Sequence, residues 1–162
     1  MSVTMIAAMD RNRTIGIGNR LPWRLPAEMA YFVAQTKGKT VLMGRKTYES
    51  LKKPLSDRVN VVLTRQPGLK LEGCEIVHNA EEALERYGSA GELMVIGGAE
   101  VYKLMMPYAD KLLLTEVDVE IAGGDAFFPE ISPEQWRLAD SAFRPKDEKN
   151  RYDFTFHTYI RV

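Results

Sequence analysis

The sequence predicts an α/β fold: a mostly parallel sheet with antiparallel strands added at its C-terminal end. Three observations predict it. Short apolar runs alternate with helix-length amphipathic segments over the first two-thirds of the chain. The last strand-like runs then follow one another with no helix between them. The length, 162 residues with 45% hydrophobic and 27% charged, fits one domain with a sizeable core.

Each element has its own reason. Residues 3–9 are apolar and read as a strand buried on both faces. Residues 10–23, with Gly16, Gly18, Asn19 and Pro22, form a long connection; compact domains seldom keep one without a use, so it reads as a lid. Residues 26–36 are the first helix. Pro26 suits a first turn, and Glu28 and Phe32 share a face with Met29 beside them and Leu25 before. Residues 40–43 are a strand ending at Gly44, and 45–51 a short helix. The loop 52–58 holds Pro54, and the strand 60–64 runs into the turn cluster Thr64-Arg65-Gln66-Pro67-Gly68. After a short strand at 75–77, Asn79 N-caps a helix over 80–87 with Glu81 and Glu82 in its first turn. Residues 92–96 are a strand, Gly97-Gly98 a turn, and 99–106 a helix closed by Pro107. A strand over 111–119 leads to the turn Ala122-Gly123-Gly124-Asp125, and Phe127-Phe128-Pro129 packs back. The late strands are 136–141 and 152–161, on either side of the charged loop 144–151.

Lys and Arg balance Asp and Glu at 22 each, which argues against a general nucleic-acid or membrane-surface binder. The balance is global and not local. Residues 44–70 hold seven basic residues against two acidic ones, and residues 71–100 hold seven acidic ones against Arg86. The basic quarter reads either as a compact-anion site or as a solvated face. Cys74 is the only cysteine, so no internal disulfide forms and a reducing compartment fits. With no signal-like start and no apolar run of membrane-spanning length, the expected location is the cytoplasm.

Open α/β sheets bind ligands beyond the carboxyl ends of their strands. Three junctions there carry chemistry. Gly44-Arg45-Lys46-Thr47 places two cations and a hydroxyl at a helix start, which suits a phosphate as well as it suits a plain turn. Thr64-Arg65 adds a hydroxyl and a guanidinium at the end of another strand, and the two junctions together favour a phosphorylated nucleotide. Gly97-Gly98 allows backbone to lie against a pyrophosphate or a ring. Neither a G-x-G-x-x-G fingerprint nor a Walker A sequence occurs, and no metal-ligand cluster is expected. His78 and His157 read as structural or surface residues. Glu28, a carboxylate in apolar company, reads as a solvated residue or as the centre of a binding site.

The ordered set Ile15-Gly16, Leu21-Pro22-Trp23, Leu25-Pro26-Ala27-Glu28, Phe32, Met43-Gly44-Arg45-Lys46-Thr47, Pro54-Leu55, Arg58-Val59-Asn60, Ile96-Gly97-Gly98-Ala99, Tyr102, Thr115 and Phe128-Pro129 resembles the dihydrofolate reductase family, in its bacterial chromosomal type, over nearly the whole chain. The resemblance implies a single domain over residues 1–162, with an eight-stranded, mainly parallel sheet, an antiparallel C-terminal strand and about four helices. It implies a monomer with a small-molecule substrate and no nucleic-acid or membrane partner. The implied activity is NADPH-dependent reduction of 7,8-dihydrofolate to tetrahydrofolate, with hydride reaching C6 and a proton reaching N5. By position, Glu28 would hold the pterin, supported by the Thr115 hydroxyl, and Trp23 would order a water. Ala8, Met29, Phe32, Leu51, Leu55 and Ile96 would line the substrate pocket, and Arg58 would pair with the glutamate tail.

For the cofactor, the resemblance implies Arg45, Thr64 and Arg65, with Leu63, around an adenosine 2′-phosphate. Gly44, Lys46, Thr47, Gly97, Gly98, Ala99, Glu100, Val101 and Tyr102 would lie along the pyrophosphate side. Ala8, Ile15, Gly16, Asn19, Leu21 and Ile96 would lie near the nicotinamide. The family pattern makes Gly97-Gly98 a cis peptide and has Asp125 steady the lid by accepting N–H bonds from around Gly16 and Gly18. The chain departs from that pattern in three places. Glu28 stands where most bacterial members carry Asp. Lys52-Lys53 and Ser56-Asp57 replace a common Gly-Arg and Pro-Gly. The turn before Asp125 is one residue longer. Two other readings use the same phosphate junctions: a pyrimidine reductase of riboflavin synthesis, and a non-catalytic NADP-binding module. Neither needs Trp23, Glu28, Phe32 and Arg58.

Overall fold

A computed structural model describes residues 2–18, 20–89 and 91–162. Eight strands form one sheet. In chain order they are β1 (Ser2–Met9), β3 (Thr40–Gly44), β4 (Val59–Leu63), β5 (Cys74–Val77), β6 (Glu92–Gly97), β7 (Lys111–Val117), β9 (Trp136–Arg144) and β10 (Phe154–Arg161). A separate two-stranded piece joins β2 (Thr14–Gly16) to β8 (Ala126–Phe127). The helices are α1 (Pro26–Thr36), α2 (Arg45–Leu51), α3 (Ala80–Tyr87) and α4 (Ala99–Met105). The sheet order is β5-β4-β3-β6-β1-β7-β10-β9, parallel up to β7 and antiparallel for β10 and β9.

Alternation along the central strands splits the core in two. Val3, Met5 and Ala7 of β1 pack on one face with Val101, Tyr102 and Met105 of α4 and Ala80 and Ala83 of α3. Ile6 points to the other face, where Val41, Met43, Val62 and Met94 meet Phe32 of α1 and Tyr48 and Leu51 of α2. Two helices therefore cover each face, and the carboxyl ends of β1, β3, β4, β6 and β7 open on one edge.

Helix boundaries follow from backbone supply and demand. Leu25 at the N-cap of α1 offers no capping side chain, and Asn150 supplies one from the far end of the chain: its Oδ1 accepts the Ala27 N–H at 3.0 Å. Asn79 caps α3 by accepting the Glu82 N–H at 2.7 Å. Pro107 ends α4 in a short 3-10 turn, Met106–Tyr108. Arg161 then takes the carbonyls of Met106 and Ala109, each at 2.7 Å, and stacks its guanidinium on Trp136.

The structure differs from the sequence reading in a few places. The expected loop 10–23 contains β2, whose three residues are too few to show a period and which forms only because β8 meets it. Strand β7 stops at Val117, and β9 runs on to Arg144, carried by its pairing with β10 across a bulge at Thr158/Tyr159. The substituted rim loop keeps two left-handed positions, Lys52 (φ 70°) and Asp57 (φ 57°), where residues with a Cβ carry strain. Its Leu55 is held to Asn60 by two hydrogen bonds, each of 2.9 Å.

Candidate active site

Helix α1 delivers Glu28 to the carboxyl ends of β1 and β7. Ala8 and Thr115 are register partners there, and the Thr115 hydroxyl donates to a Glu28 oxygen at 3.4 Å. Glu28 is 7% exposed. Burial pushes its carboxyl up from the ordinary 4.5 to about 7, and the long bond from Thr115 offsets only a little of that. Trp23 and Leu25 are buried beside Ala8, and the Trp23 indole N–H meets no acceptor among the described residues. Phe32, one turn after Glu28, lies with Leu51, Leu55 and Ile96 over the Ile6 face of the sheet, all of them half-buried. Ile96 is the extra residue of a bulge: Leu42 pairs with Val95 and Met43 with Gly97. A bulge beside a cleft re-aims a side chain that regular pairing would bury.

At the far end of this apolar floor, Arg58 is held by three bonds: Nε to Thr36 Oγ1 (2.9 Å), Nη1 to the Ser56 carbonyl (2.6 Å) and Nη2 to the Val33 carbonyl (3.3 Å). A guanidinium has five N–H donors, so it can take a carboxylate without leaving these partners. Met29 is half exposed at the helix surface, and Leu21 is 52% exposed.

The second half of the site is glycine-lined. The Gly97–Gly98 peptide is cis. A Cβ on Gly98 would sit 3.4 Å from the Thr47 hydroxyl, and one on Gly44 would sit 3.1 Å from a Val101 methyl. The starts of α2 and α4 therefore face each other across bare backbone, with Lys46 and Thr47 on one side and Ala99, Glu100 and Val101 on the other. The Tyr102 side chain is buried under Gly97 and donates to the Ile6 carbonyl at 2.6 Å, so it supports the turn from behind. On the next strands Leu63 is buried at the end of β4, while Arg45 and Arg65 are exposed and Thr64 half-buried.

The connection over residues 10–23 is tied to Asp125 at Gly16 and Gly18. Asp125 accepts the Gly18 N–H at 3.0 Å and donates its own N–H to the Gly16 carbonyl at 3.1 Å. Ile15 packs against the core from β2, and Asn19 lies outside the described residues. Asp10 was not singled out from the sequence, yet it is fully buried and accepts N–H bonds from Asn12, Thr14 and Ile121. Its signal was an Asp at a strand end followed by a polar turn. Asn150, missed as well, carried no local signal at all. Among the described residues no group of three or more His, Cys, Asp or Glu could hold a metal ion, and no helix is long and apolar enough to cross a membrane.

Comparison with known proteins agrees with this geometry. The family model for dihydrofolate reductase matches residues 2–161. The dihydrofolate reductase of Bacillus subtilis is 43% identical over 157 residues, covering 97% of this chain and 93% of the relative. That of Neisseria gonorrhoeae is 44% identical over 161 residues, covering 99% and 98%. A solved structure of the Enterococcus faecalis dihydrofolate reductase, complexed with NADP(H) and RAB-propyl, superposes with a TM-score of 0.93 at 34% identity, over 99% of this chain and 96% of the other. A buried acid at one end of an apolar floor, a fixed arginine at the other and a glycine-lined groove beside them thus sit in a chain that belongs to the dihydrofolate reductase family.

Proposed function

We propose that the chain reduces 7,8-dihydrofolate to 5,6,7,8-tetrahydrofolate, with NADPH as reductant. The observation that carries this reading is Glu28: a buried carboxyl with no cation beside it, reached only by the Thr115 hydroxyl among the described residues. Such a group is answered by a ligand that brings paired N–H donors, and the 2-amino and N3 positions of a pterin are such a pair. Phe32, Leu51, Leu55, Ile96 and Met29 line the ring and aminobenzoyl path, and Arg58 receives the α-carboxylate of the glutamate tail.

The residues present fit NADPH. Arg45, Thr64 and Arg65 suit a 2′-phosphate, and the bare backbone at Gly44, Gly97 and Gly98 leaves room for a pyrophosphate between Lys46–Thr47 and Ala99–Val101. Ala8, Ile15, Gly16 and Leu21 border the nicotinamide end, with the lid held by Asp125. NADPH, when bound, supplies the hydride for C6. The chain's own part is to bind and orient the pterin, to exclude bulk water with Trp23 and the lid, and to keep a proton available at N5. A carboxyl raised to about 7 keeps its proton in about half of the molecules at pH 7, and the Trp23 N–H, unpartnered among the described residues, would hold the water that relays it. The single cysteine suits a reducing cytoplasm, the neutral net charge suits a small-molecule substrate with neither nucleic acid nor membrane as partner, and the family resemblance implies a monomer.

The test is the loss of NADPH absorbance on adding dihydrofolate, with and without a diaminopyrimidine inhibitor. The reading expects decay that needs dihydrofolate and stops with the inhibitor; no dihydrofolate-dependent decay would refute it.

A further inference from the structure

We propose that Ser141, His157 and Glu116 form a second catalytic site, on the sheet face away from Glu28, that hydrolyses uncharged aryl esters of short-chain carboxylic acids. The Ser141 hydroxyl lies 2.8 Å from His157 Nδ1, and His157 Nε2 lies 3.3 Å from a Glu116 oxygen. A carboxylate only accepts, so in the neutral imidazole Nε2 carries the hydrogen. Nδ1 is then a lone pair, and the Ser141 hydroxyl donates to it. Hydroxyl, imidazole and carboxylate stand in the order that makes a serine nucleophilic. The base takes the hydroxyl proton, and the acid behind it fixes the ring and answers its charge.

Three neighbouring strands set this relay. Register places Glu116 of β7 opposite Thr155 of β10, and His157 of β10 opposite Ser141 of β9. Side chains alternate along a strand. Phe156 stacks on Tyr31 of α1 with ring centroids 4.0 Å apart, and Thr115 faces Glu28 of the same helix. His157 and Glu116, one residue on from each, therefore point to the opposite face. The Tyr159 ring flanks His157 with centroids 6.0 Å apart. The His157 side chain is only 15% exposed while Ser141 is open to solvent, so the base is sheltered and the nucleophile accessible.

Strand β9 is the last in the sheet. The Asp118 N–H donates to the Asp153 carbonyl at 2.9 Å, so Asp153 and every second residue after it bond toward β7. Phe154 and Phe156 bond toward Arg144 and Ala142 instead, which turns the Ser141 and Phe143 N–H groups out to the open edge. The Ser141 N–H is thus a donor for an oxyanion formed on its own side chain. Beside the relay lies a cavity of about 180 Å³, lined by Glu116, Asp118, Asp153, Thr155, Phe143 and Arg11. Phe143 is two residues along β9 from Ser141, on the same face and largely exposed, and offers an aryl group a stacking surface. The three carboxylates face one guanidinium, already held by Asp118 at 2.8 Å, which excludes an anionic substrate. The small volume admits a short acyl chain.

In the acylation step Ser141 Oγ attacks the ester carbonyl carbon, and its proton passes to His157 Nδ1. The carbonyl oxygen becomes the oxyanion and takes the Ser141 N–H. Collapse breaks the bond to the aryl oxygen, which leaves as the phenol with the proton from Nδ1. Water then attacks the acyl-serine with Nδ1 again as base, releasing the carboxylic acid and restoring the hydroxyl. Ester and water give acid and phenol, with no redox change and no further reactant. The site is independent of the reductase reading.

The experiment follows p-nitrophenol release from p-nitrophenyl acetate by the full chain, with peptide mass mapping of the acetyl group in quenched samples. Ser141→Ala should lower the protein-dependent rate by at least about tenfold and remove the acetyl group from its peptide, and Glu116→Gln should lower the rate by about threefold or more. Both variants should reduce dihydrofolate within about twofold of the unaltered rate, which shows that the fold is kept. A diaminopyrimidine that fills the reductase site should leave ester hydrolysis unchanged. Equal release by the unaltered chain and Ser141→Ala, acetyl groups on lysines alone, release that stops after one equivalent, or inhibition by the diaminopyrimidine would each overturn the proposal.

Discussion

Glu28 and Glu92 stand at opposite ends of the same sheet, and their surroundings differ in kind. Glu92, at the amino end of β6, has one oxygen 2.7 Å from Lys39 Nζ; the other accepts the Thr4 hydroxyl and lies 3.5 Å from Lys111 Nζ. Burial alone would push its carboxyl up, but the bonds from Lys39 and Thr4 and the charge of Lys111 hold it below the ordinary 4.5. Glu28, at the carboxyl end, is more deeply buried and has, among the described residues, only the 3.4 Å contact to Thr115, so burial wins and carries it to about 7. The chain answers the charge of the first acid and leaves the second for a ligand. An acid answered within the fold serves stability; one left unanswered costs stability and serves binding.

The largest effect that would break this contrast is on turnover. Glu28→Gln should cut the rate of dihydrofolate reduction at neutral pH by about 10²- to 10⁴-fold, with NADPH binding largely kept, whereas Glu92→Gln should leave turnover within about twofold. Near-normal turnover in Glu28→Gln would end the assignment.

Stability should move the opposite way. The folded pKa of Glu28 lies above its unfolded value, so the folded state binds the extra proton between them. Its favourable contribution is present below about pH 4.5 and is lost as pH rises toward 7. At pH 8, without ligands, Glu28→Gln should therefore be more stable than the unaltered chain by up to about 3 kcal/mol, with the gap closing near pH 4.5. Thermal or urea unfolding at the two pH values checks this.

Glu92→Gln should destabilise by roughly 1–3 kcal/mol at pH 7. Its folded pKa is lowered, so the stability it lends is present above the ordinary 4.5 and fades as pH falls through the folded value. The same unfolding series should then show the deficit of Glu92→Gln shrinking in acid. A deficit that persists unchanged at low pH would mean that Glu92 acts by packing alone.

The smallest effect sharpens the cause of the Glu28 shift. Thr115→Val removes the one donor to Glu28 among the described residues, so the basic limb of the pH–rate profile should move upward, for under about 1 kcal/mol of stability. A downward move would mean that the hydroxyl favours the protonated acid.

Much of this was legible in the chain itself. Helix α1 begins where Pro26 allows and α3 where Asn79 caps, and the strand-end glycines at 44 and 97–98 mark the groove because local chemistry sets them. The unread parts depend on distant partners. Asn150 caps α1 from 123 residues away, Asp10 takes the N–H of Ile121 from 111 away, and Glu92 meets Thr4 across 88. Strand β2 exists through β8, and a Cβ on Gly124 would run into Thr14 there. No window along the sequence holds both members of such a pair. For the same reason the sequence marked Glu28 as an acid in apolar company without showing that nothing charged comes to meet it.

The most direct test is to titrate the Glu28 carboxyl itself in the ligand-free protein, by difference infrared spectroscopy or carboxyl-carbon NMR against Glu28→Gln. The account predicts a midpoint near 7 that falls when a cationic diaminopyrimidine binds. A midpoint near 4.5 in the free protein would show that Glu28 is answered by water or by the chain, and would contradict the contrast with Glu92.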